Sequence, residues 1–259
     1  MAKLRNGEMA KWRNGEMAKT GVERPTLPTC PPAHLPTLPT CLTSPTRPTC
    51  PIVSSMEPTR LIVGITGASG AIFGVRLLEM LREHGVETHL IMSQWAVRTL
   101  VHETSYTVQQ VQSLASERYA IGDVGSALAS GSFVTDGMAI VPCSVRTLAA
   151  IAHGFGDNLI HRAADVVLKE RRRLVLAVRE APLSEIHLEN MLKLARMGVS
   201  ICPPIPAFYN HPESIDDIVN HSVARILDQL GLHVESAQRW SGDMRKDENR
   251  EIREFREKV

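Results

Sequence analysis

The chain has 259 residues and a formal charge of +1, with 43% hydrophobic and 4% aromatic residues. That length admits one large domain or two small ones, with enough apolar content for a packed core. Near-neutral charge gives no electrostatic footprint for nucleic acid, and no uncharged apolar run approaches the roughly 18 residues of a membrane span, so a soluble protein with neither partner is expected.

Composition shifts near residue 55. Before it, MAKLRNGE, MAKWRNGE and MAKTGVER follow one another from Met1, and PTLPTC, PTLPTC and PTRPTC begin at Pro25, Pro36 and Pro45. Short Pro- and Thr-rich repeats cannot bury enough apolar surface to offset the entropy of ordering. Residues 1–55 are therefore expected to be a disordered extension, or translated upstream sequence with Met56 as the start. They carry seven basic and three acidic residues, leaving 22 basic and 25 acidic in the rest. Cys30, Cys41 and Cys50 sit in the repeats without a second ligand pair that would mark a metal site. Only Cys143 and Cys202 remain beyond them, which fits a reducing cytoplasm.

Leu61–Thr66 is a short apolar run ending in a Gly-rich turn, the pattern of a buried parallel strand. After Gly70, the apolar residues Ile72, Val75, Leu78 and Leu81 recur at helical spacing up to His84-Gly85. Thr88–Met92, Met138–Pro142, Leu174–Val178 and Val199–Cys202 read as further strands, each followed by a helical stretch. The last clear helix is Ile215–Leu230, and residues 244–259 form a charged tail. Alternating strands and helices imply a single α/β domain over 56–243, with a doubly wound, mostly parallel, Rossmann- or flavodoxin-like sheet. Ligands of such sheets bind at the carboxyl ends of the strands, so the residues just after each strand are the candidates.

Thr66-Gly67-Ala68-Ser69-Gly70 closes the first strand. Its glycines let the backbone approach an anion, and the following helix offers free N–H groups with the positive end of its dipole. A short-chain dehydrogenase would need Tyr-x-x-x-Lys, which none of Tyr106, Tyr119 and Tyr209 begins. Ser93 follows the second strand, with Glu103 beyond it. Ser144-Val-Arg-Thr147 follows the third, and Arg179-Glu180 the fourth. Arg162, Asp165 and Lys169 share a helix face that is either a binding surface or a solvated salt-bridge ladder. Arg171, Arg172 and Arg173 read as a cationic helix end, and Cys143 as a small buried residue.

Thr66–Gly70, Ser130-Gly-Ser132, Pro142-Cys-Ser144, Asn158-Leu-Ile-x-Arg-Ala-Ala-Asp165, Leu168-Lys-Glu-Arg-Arg172, Arg179-Glu-Ala-Pro182, His187-Leu-Glu-Asn-Met-Leu192 and Phe208-Tyr209 occur in that order. Together they resemble the UbiX/Pad1 family of flavin prenyltransferases from about Leu61 to Trp240. The resemblance implies an enzyme that joins a dimethylallyl group from dimethylallyl phosphate to N5 and C6 of reduced FMN. It implies no metal, a homo-oligomer with sites at subunit interfaces, and a product used by a UbiD-type decarboxylase. By position it assigns Gly67, Ala68, Ser69, Ser93, Ser144, Val145, Arg146, Thr147 and Arg179 to FMN. Val145 and Arg146 stand where some members read Thr-Gly. Arg162, Lys169, Arg179, Tyr209 and Arg225 are assigned to the prenyl donor. Ser69, Glu103, Glu180 and Lys169 are assigned to catalysis, and Trp240 to a neighbouring subunit's flavin. Two other readings are a flavin-dependent decarboxylase of cysteinyl substrates and a non-catalytic FMN carrier. The first would carry a Pro-x-Met-Asn loop where this chain reads Pro203-Pro-Ile-Pro206, and the second would have no use for a basic cluster.

Overall fold

A computed structural model describes residues 59–234. The extension 1–55, Trp240 and the tail 244–259 lie outside the described residues. In chain order the elements are β1 (Arg60–Ile65), α1 (Ala71–Glu83), β2 (Glu87–Met92), α2 (Gln94–Glu103), α3 (Val108–Gln112), β3 (Glu117–Tyr119), a 3-10 turn (Ala127–Ala129), β4 (Gly137–Cys143), α4 (Val145–Ala152), α5 (Leu159–Lys169), β5 (Arg173–Val178), α6 (Glu185–Arg196), β6 (Ser200–Ile201) and α7 (Ile215–Leu230). The strands form one sheet in the order β3-β2-β1-β4-β5-β6, and every neighbouring pair is parallel.

After Arg60, β1 is apolar and buried because both faces of the sheet are covered. Successive side chains point to opposite faces. Leu61 and Val63 pack with Val75, Leu78, Val223 and Leu227 of α1 and α7. Ile62 packs on the other side with Leu148, Ile160, Ala164 and Leu194 of α4, α5 and α6. The five expected strands form within two residues of their expected ends, and α7 has the expected bounds. β3 is additional: an edge strand of three residues with two exposed side chains has no apolar run to announce it.

The strand order reverses between β1 and β4, so the ligand crevice of a doubly wound sheet opens there, at the strands' C-terminal ends. Pro142 in β4 has no N–H to give the ladder, and the β4–β5 register shifts between Ile140 and Cys143. Its carbonyl is taken up across the crevice. The Thr66 N–H donates to it at 3.2 Å and the Thr66 hydroxyl at 2.7 Å. Thr66 Oγ1 in turn accepts from the Ser144 N–H at 2.8 Å. One buried threonine therefore fixes the ends of β1 and β4 to each other.

Candidate active site

Four chain segments meet the crevice: the turn after β1, Ser93 after β2, Ser144–Thr147 after β4 and Arg179–Glu180 after β5. Ser93 and Ser144 are N-caps for the same physical reason. Each is extended, and its side-chain oxygen accepts an N–H of the first turn, Ala96 for Ser93 and Thr147 for Ser144. The Ser144 hydroxyl also donates to Thr147 Oγ1 at 3.1 Å. The N–H groups of Val145 and Arg146, at the open end of α4, have no intrahelical acceptor.

The Gly-rich turn is built differently from the expectation of a bare anion cradle. Glu103 Oε2 accepts from the Gly70 N–H at 2.8 Å and the Ala71 N–H at 3.0 Å. The chain's own carboxylate thus sits at the N-terminus of α1, where a ligand anion was expected. Partial burial opposes its ionisation, but hydrogen bonds from the Ser69 hydroxyl and the Ala71 and Gly70 N–H groups, with the charge of Arg179, outweigh it. They hold the carboxyl below its ordinary value. Ser69, Glu103 and Arg179 are therefore one electrostatic unit, spanning the ends of β1, α2 and β5.

The glycines answer internal demands. Gly70 has φ +97°, a conformation that side chains disfavour. A Cβ on Gly67 would lie 2.3 Å from Trp95 Cβ and 3.3 Å from the Trp95 backbone, so its absence lets α2 start against the turn. Trp95 is 62% exposed at this rim, with the Arg98 guanidinium 4.8 Å from its ring centroid. Neither residue is marked by a sequence motif, nor is the Thr66 bridge.

Glu180 is exposed and accepts from the Ala181 N–H at 3.1 Å. The backbone N–H of Arg179 donates to the Cys143 carbonyl at 3.1 Å, which fixes the turn after β5 to the end of β4. Cys143 is fully buried, and burial pushes its thiol far above the ordinary range, so it is a packing residue.

The residues assigned to the prenyl donor divide. Tyr209 packs edge-on against His221 of α7, where its hydroxyl lies 3.3 Å from His221 Nε2, and Arg225 is one turn farther along that helix. Arg225 acts electrostatically on Cys202 just after β6 and pairs with Asp228 at 2.7 Å. Arg162 lies near the crevice end of α5, whose Leu159 N–H donates to the Ile121 carbonyl just beyond β3. It pairs with Asp165 at 2.7 Å, both half-exposed, as one rung of the ladder.

Lys169 ends α5 four residues before β5 begins, on the edge opposite the crevice. Next to it, Glu170 abuts Gly131, and Arg172 donates to the Gly131 and Phe133 carbonyls ahead of β4. Arg173 donates to the Leu230 carbonyl. Arg172 and Arg173 are structural fasteners at that edge. Six residues of β5 at about 3.3 Å each separate Lys169 from Arg179 by about 20 Å. One protomer does not bring Lys169 to the crevice.

The donor set suits a flavin mononucleotide. The open α4 terminus and the Ser144 and Thr147 hydroxyls match a phosphate, and the crevice rim carries an exposed aromatic. Comparisons with known proteins agree. The family model described as Flavoprotein matches residues 52–227. A UbiX-like flavin prenyltransferase of a Streptomyces species is 61% identical over 184 residues, covering 71% of this chain and 92% of that protein. The solved dodecameric FMN-dependent UbiX-like decarboxylase of Escherichia coli is 58% identical with a TM-score of 0.70, covering 71% of this chain and all of that one. AnUbiX (PadA1), solved with FMN and dimethylallyl pyrophosphate, is 51% identical with a TM-score of 0.72, covering 73% and 100%. With this family match and these identities, the chain belongs to the flavoprotein family and, within it, to the UbiX-like flavin prenyltransferases.

Proposed function

We propose that this chain binds FMN in the crevice between β1 and β4 and prenylates it at N5 and C6, using a dimethylallyl phosphate ester as donor. The observation that carries the reading is the Ser69–Glu103–Arg179 unit set beside the open α4 terminus: one place to hold the flavin phosphate, another to serve the reacting edge. The reduced flavin supplies the nucleophilic positions.

The chain's residues do the rest. Ser144, Thr147 and the first N–H groups of α4 hold the cofactor phosphate. Departure of an allylic phosphate builds negative charge, which Arg179, Arg225 and Lys169 offset at fixed positions, with Tyr209 adding a hydrogen bond. Glu180 accepts the proton released from the ring carbon. Ser69, held by Glu103, keeps its hydroxyl at the same edge. An apolar, closed site protects the allyl cation from water.

AnUbiX was solved with the pyrophosphate ester, and the monophosphate is the donor proposed for this chain. The E. coli relative is a dodecamer. Lys169 stands about 20 Å from Arg179 of its own protomer, which supports a homo-oligomer whose sites are completed by a neighbouring subunit's Lys169. Among the described residues no helix is long and apolar enough to cross a membrane, and the proposed location is the cytoplasm, where a UbiD-type decarboxylase takes up the product. The test is mass spectrometry of flavin released after anaerobic incubation with FMN, a reductant and dimethylallyl phosphate. A mass gain of one C5 unit is expected, and unmodified FMN under all conditions would overturn the reading.

A further inference from the structure

α6 shows more apolar surface than its own protomer covers. It is the outermost helix of its layer, since it leads into β6 and β6 ends the sheet. One narrow stripe faces inward: Leu194 is fully buried, and Asn190 is buried where its side-chain oxygen lies 3.1 Å from His153 Nε2, at the end of α4. On the side away from Asn190, Leu188, Leu192 and Ala195 follow at spacings of four and three residues, so they form one row along the helix. Leu188 and Leu192 are each 52% exposed, and Ala195 is exposed with them. A solvated helix face carries polar residues at such positions. A row of apolar ones, unlike scattered single side chains, marks a surface that something covers.

The charges beside the row indicate what covers it. Glu185 and Glu189 lie in the first half of α6, Lys193 and Arg196 in the second. All four are exposed, and none forms an ion pair among the described residues. A helix graded from acid to base is complementary to itself run in the opposite direction. With a second α6 antiparallel to the first, about a two-fold axis near Asn190 and Met191, Leu188 of each copy meets Leu192 of the other. The same register sets Glu185 of each copy against Arg196 of the other, because both pairs are centred on the same point of the helix. Apolar row and charges therefore fit together in one isologous arrangement.

We infer that the Leu188–Leu192–Ala195 row of α6 is a contact between two copies of this chain, packed antiparallel about a two-fold axis. This rests on the reading that the chain is a homo-oligomer. The contact is distinct from the one that carries Lys169 to a crevice, which joins unlike surfaces of two subunits. An isologous contact joins copies, or rings of copies, in pairs, so an assembly without it has at most half the mass.

The experiment measures the mass of the full chain by light scattering over a range of protein concentrations. The variants are Leu188→Lys/Leu192→Lys, Glu185→Arg, Arg196→Glu and the double reversal Glu185→Arg/Arg196→Glu. The leucine variant is expected to fall to half the wild-type mass or less, with helical content by circular dichroism unchanged because both side chains are exposed. Each single reversal sets like charges against each other and should raise the concentration needed for assembly about tenfold. The double reversal should restore it. If the leucine variant does not fold, the reversals, made on exposed side chains, carry the test. Wild-type mass at every concentration in the leucine variant overturns the inference, whether residues 235–259 or another protein then cover the row. Single reversals without mutual rescue overturn the antiparallel pairing. A wild-type chain that is itself monomeric removes the homo-oligomer reading beneath this inference.

Discussion

Glu103 Oε2 accepts hydrogen bonds from the backbone N–H groups of both Gly70 and Ala71, so a carboxylate at the end of α2 caps the start of α1. Its folded value lies below its ordinary value of 4.5. A depressed carboxylate contributes stability that is present above the unfolded value and lost as pH falls through the folded one. Glu103→Gln keeps the shape and an acceptor but not the charge. It should cost about 1 kcal/mol at pH 7. The gap from wild type should close as pH drops below about 4.5, as the linkage requires. Urea denaturation at fixed protein concentration, repeated from pH 7 downward, reads this. A gap independent of pH would assign the effect to packing instead.

Gly67→Ala should displace the start of α2, because the new Cβ meets Trp95 Cβ at 2.3 Å. Overpacking of this kind costs about 1–3 kcal/mol, and FMN affinity, followed by flavin fluorescence, should fall with it as Ser93 moves. Trp95→Ala should fail to rescue Gly67→Ala, since the collision is with Cβ and not with the indole. Trp95→Gly should relieve it. Rescue by alanine would show that the ring sets the fit.

The Thr66 hydroxyl serves two elements at once, donating to the Pro142 carbonyl and accepting from the Ser144 N–H. Thr66→Val leaves the Ser144 N–H without its acceptor and the Pro142 carbonyl with the Thr66 N–H alone, at about 2 kcal/mol. The start of α4, the proposed phosphate site, should loosen with it. Thr66→Ser should behave as wild type. Melting temperature with and without FMN separates the two effects: a larger loss in the presence of FMN is expected.

Much of this architecture is legible in the sequence, and the gaps have physical causes. β1 is unmistakable because, beyond Arg60, a strand covered on both faces carries only apolar residues. α7 carries its own punctuation, a Ser214–Asp217 capping box and Gly231 at φ +84°. β3 has three residues, two of them exposed, and no local signal separates it from a loop. The Glu103 cap joins residues 33 apart, a contact no helix or strand period encodes. Lys169 shows the limit most plainly. Spacing indicates the face of α5 it occupies, but the edge of the sheet it reaches depends on the whole crossover.

Glu180 stands in the turn after β5, exposed, and among the described residues its carboxylate accepts from the Ala181 N–H. As the proposed proton acceptor it should be dispensable for binding and needed for turnover. Glu180→Gln should keep FMN affinity within twofold and slow prenyl transfer about a hundredfold, the low end of a general base's contribution. Unchanged turnover at full flavin occupancy would remove it from the proposed chemistry and leave the departing phosphate as the base.

Lys169 on α5 and Arg225 on α7 are carried on opposite faces of the sheet, which makes a prediction about assembly. If a site takes Lys169 from one subunit and Arg225 from another, Lys169→Ala and Arg225→Ala homo-oligomers should each be impaired about ten- to a hundredfold in donor use, as expected for one charge-assisted contact. FMN affinity should stay within a few-fold of wild type, since the α4 terminus holds the cofactor phosphate independently. Co-expressing the two variants under separate tags and purifying the mixed oligomer creates subunit contacts of three kinds. At some of them a subunit with intact Arg225 meets one with intact Lys169, and these sites are whole. Activity in the mixed oligomer should therefore exceed that of either parent. Sites made within one protomer would each keep a defect whatever the mixture, and activity no higher than the better parent would show that Lys169 reaches the donor by another route or does not reach it at all.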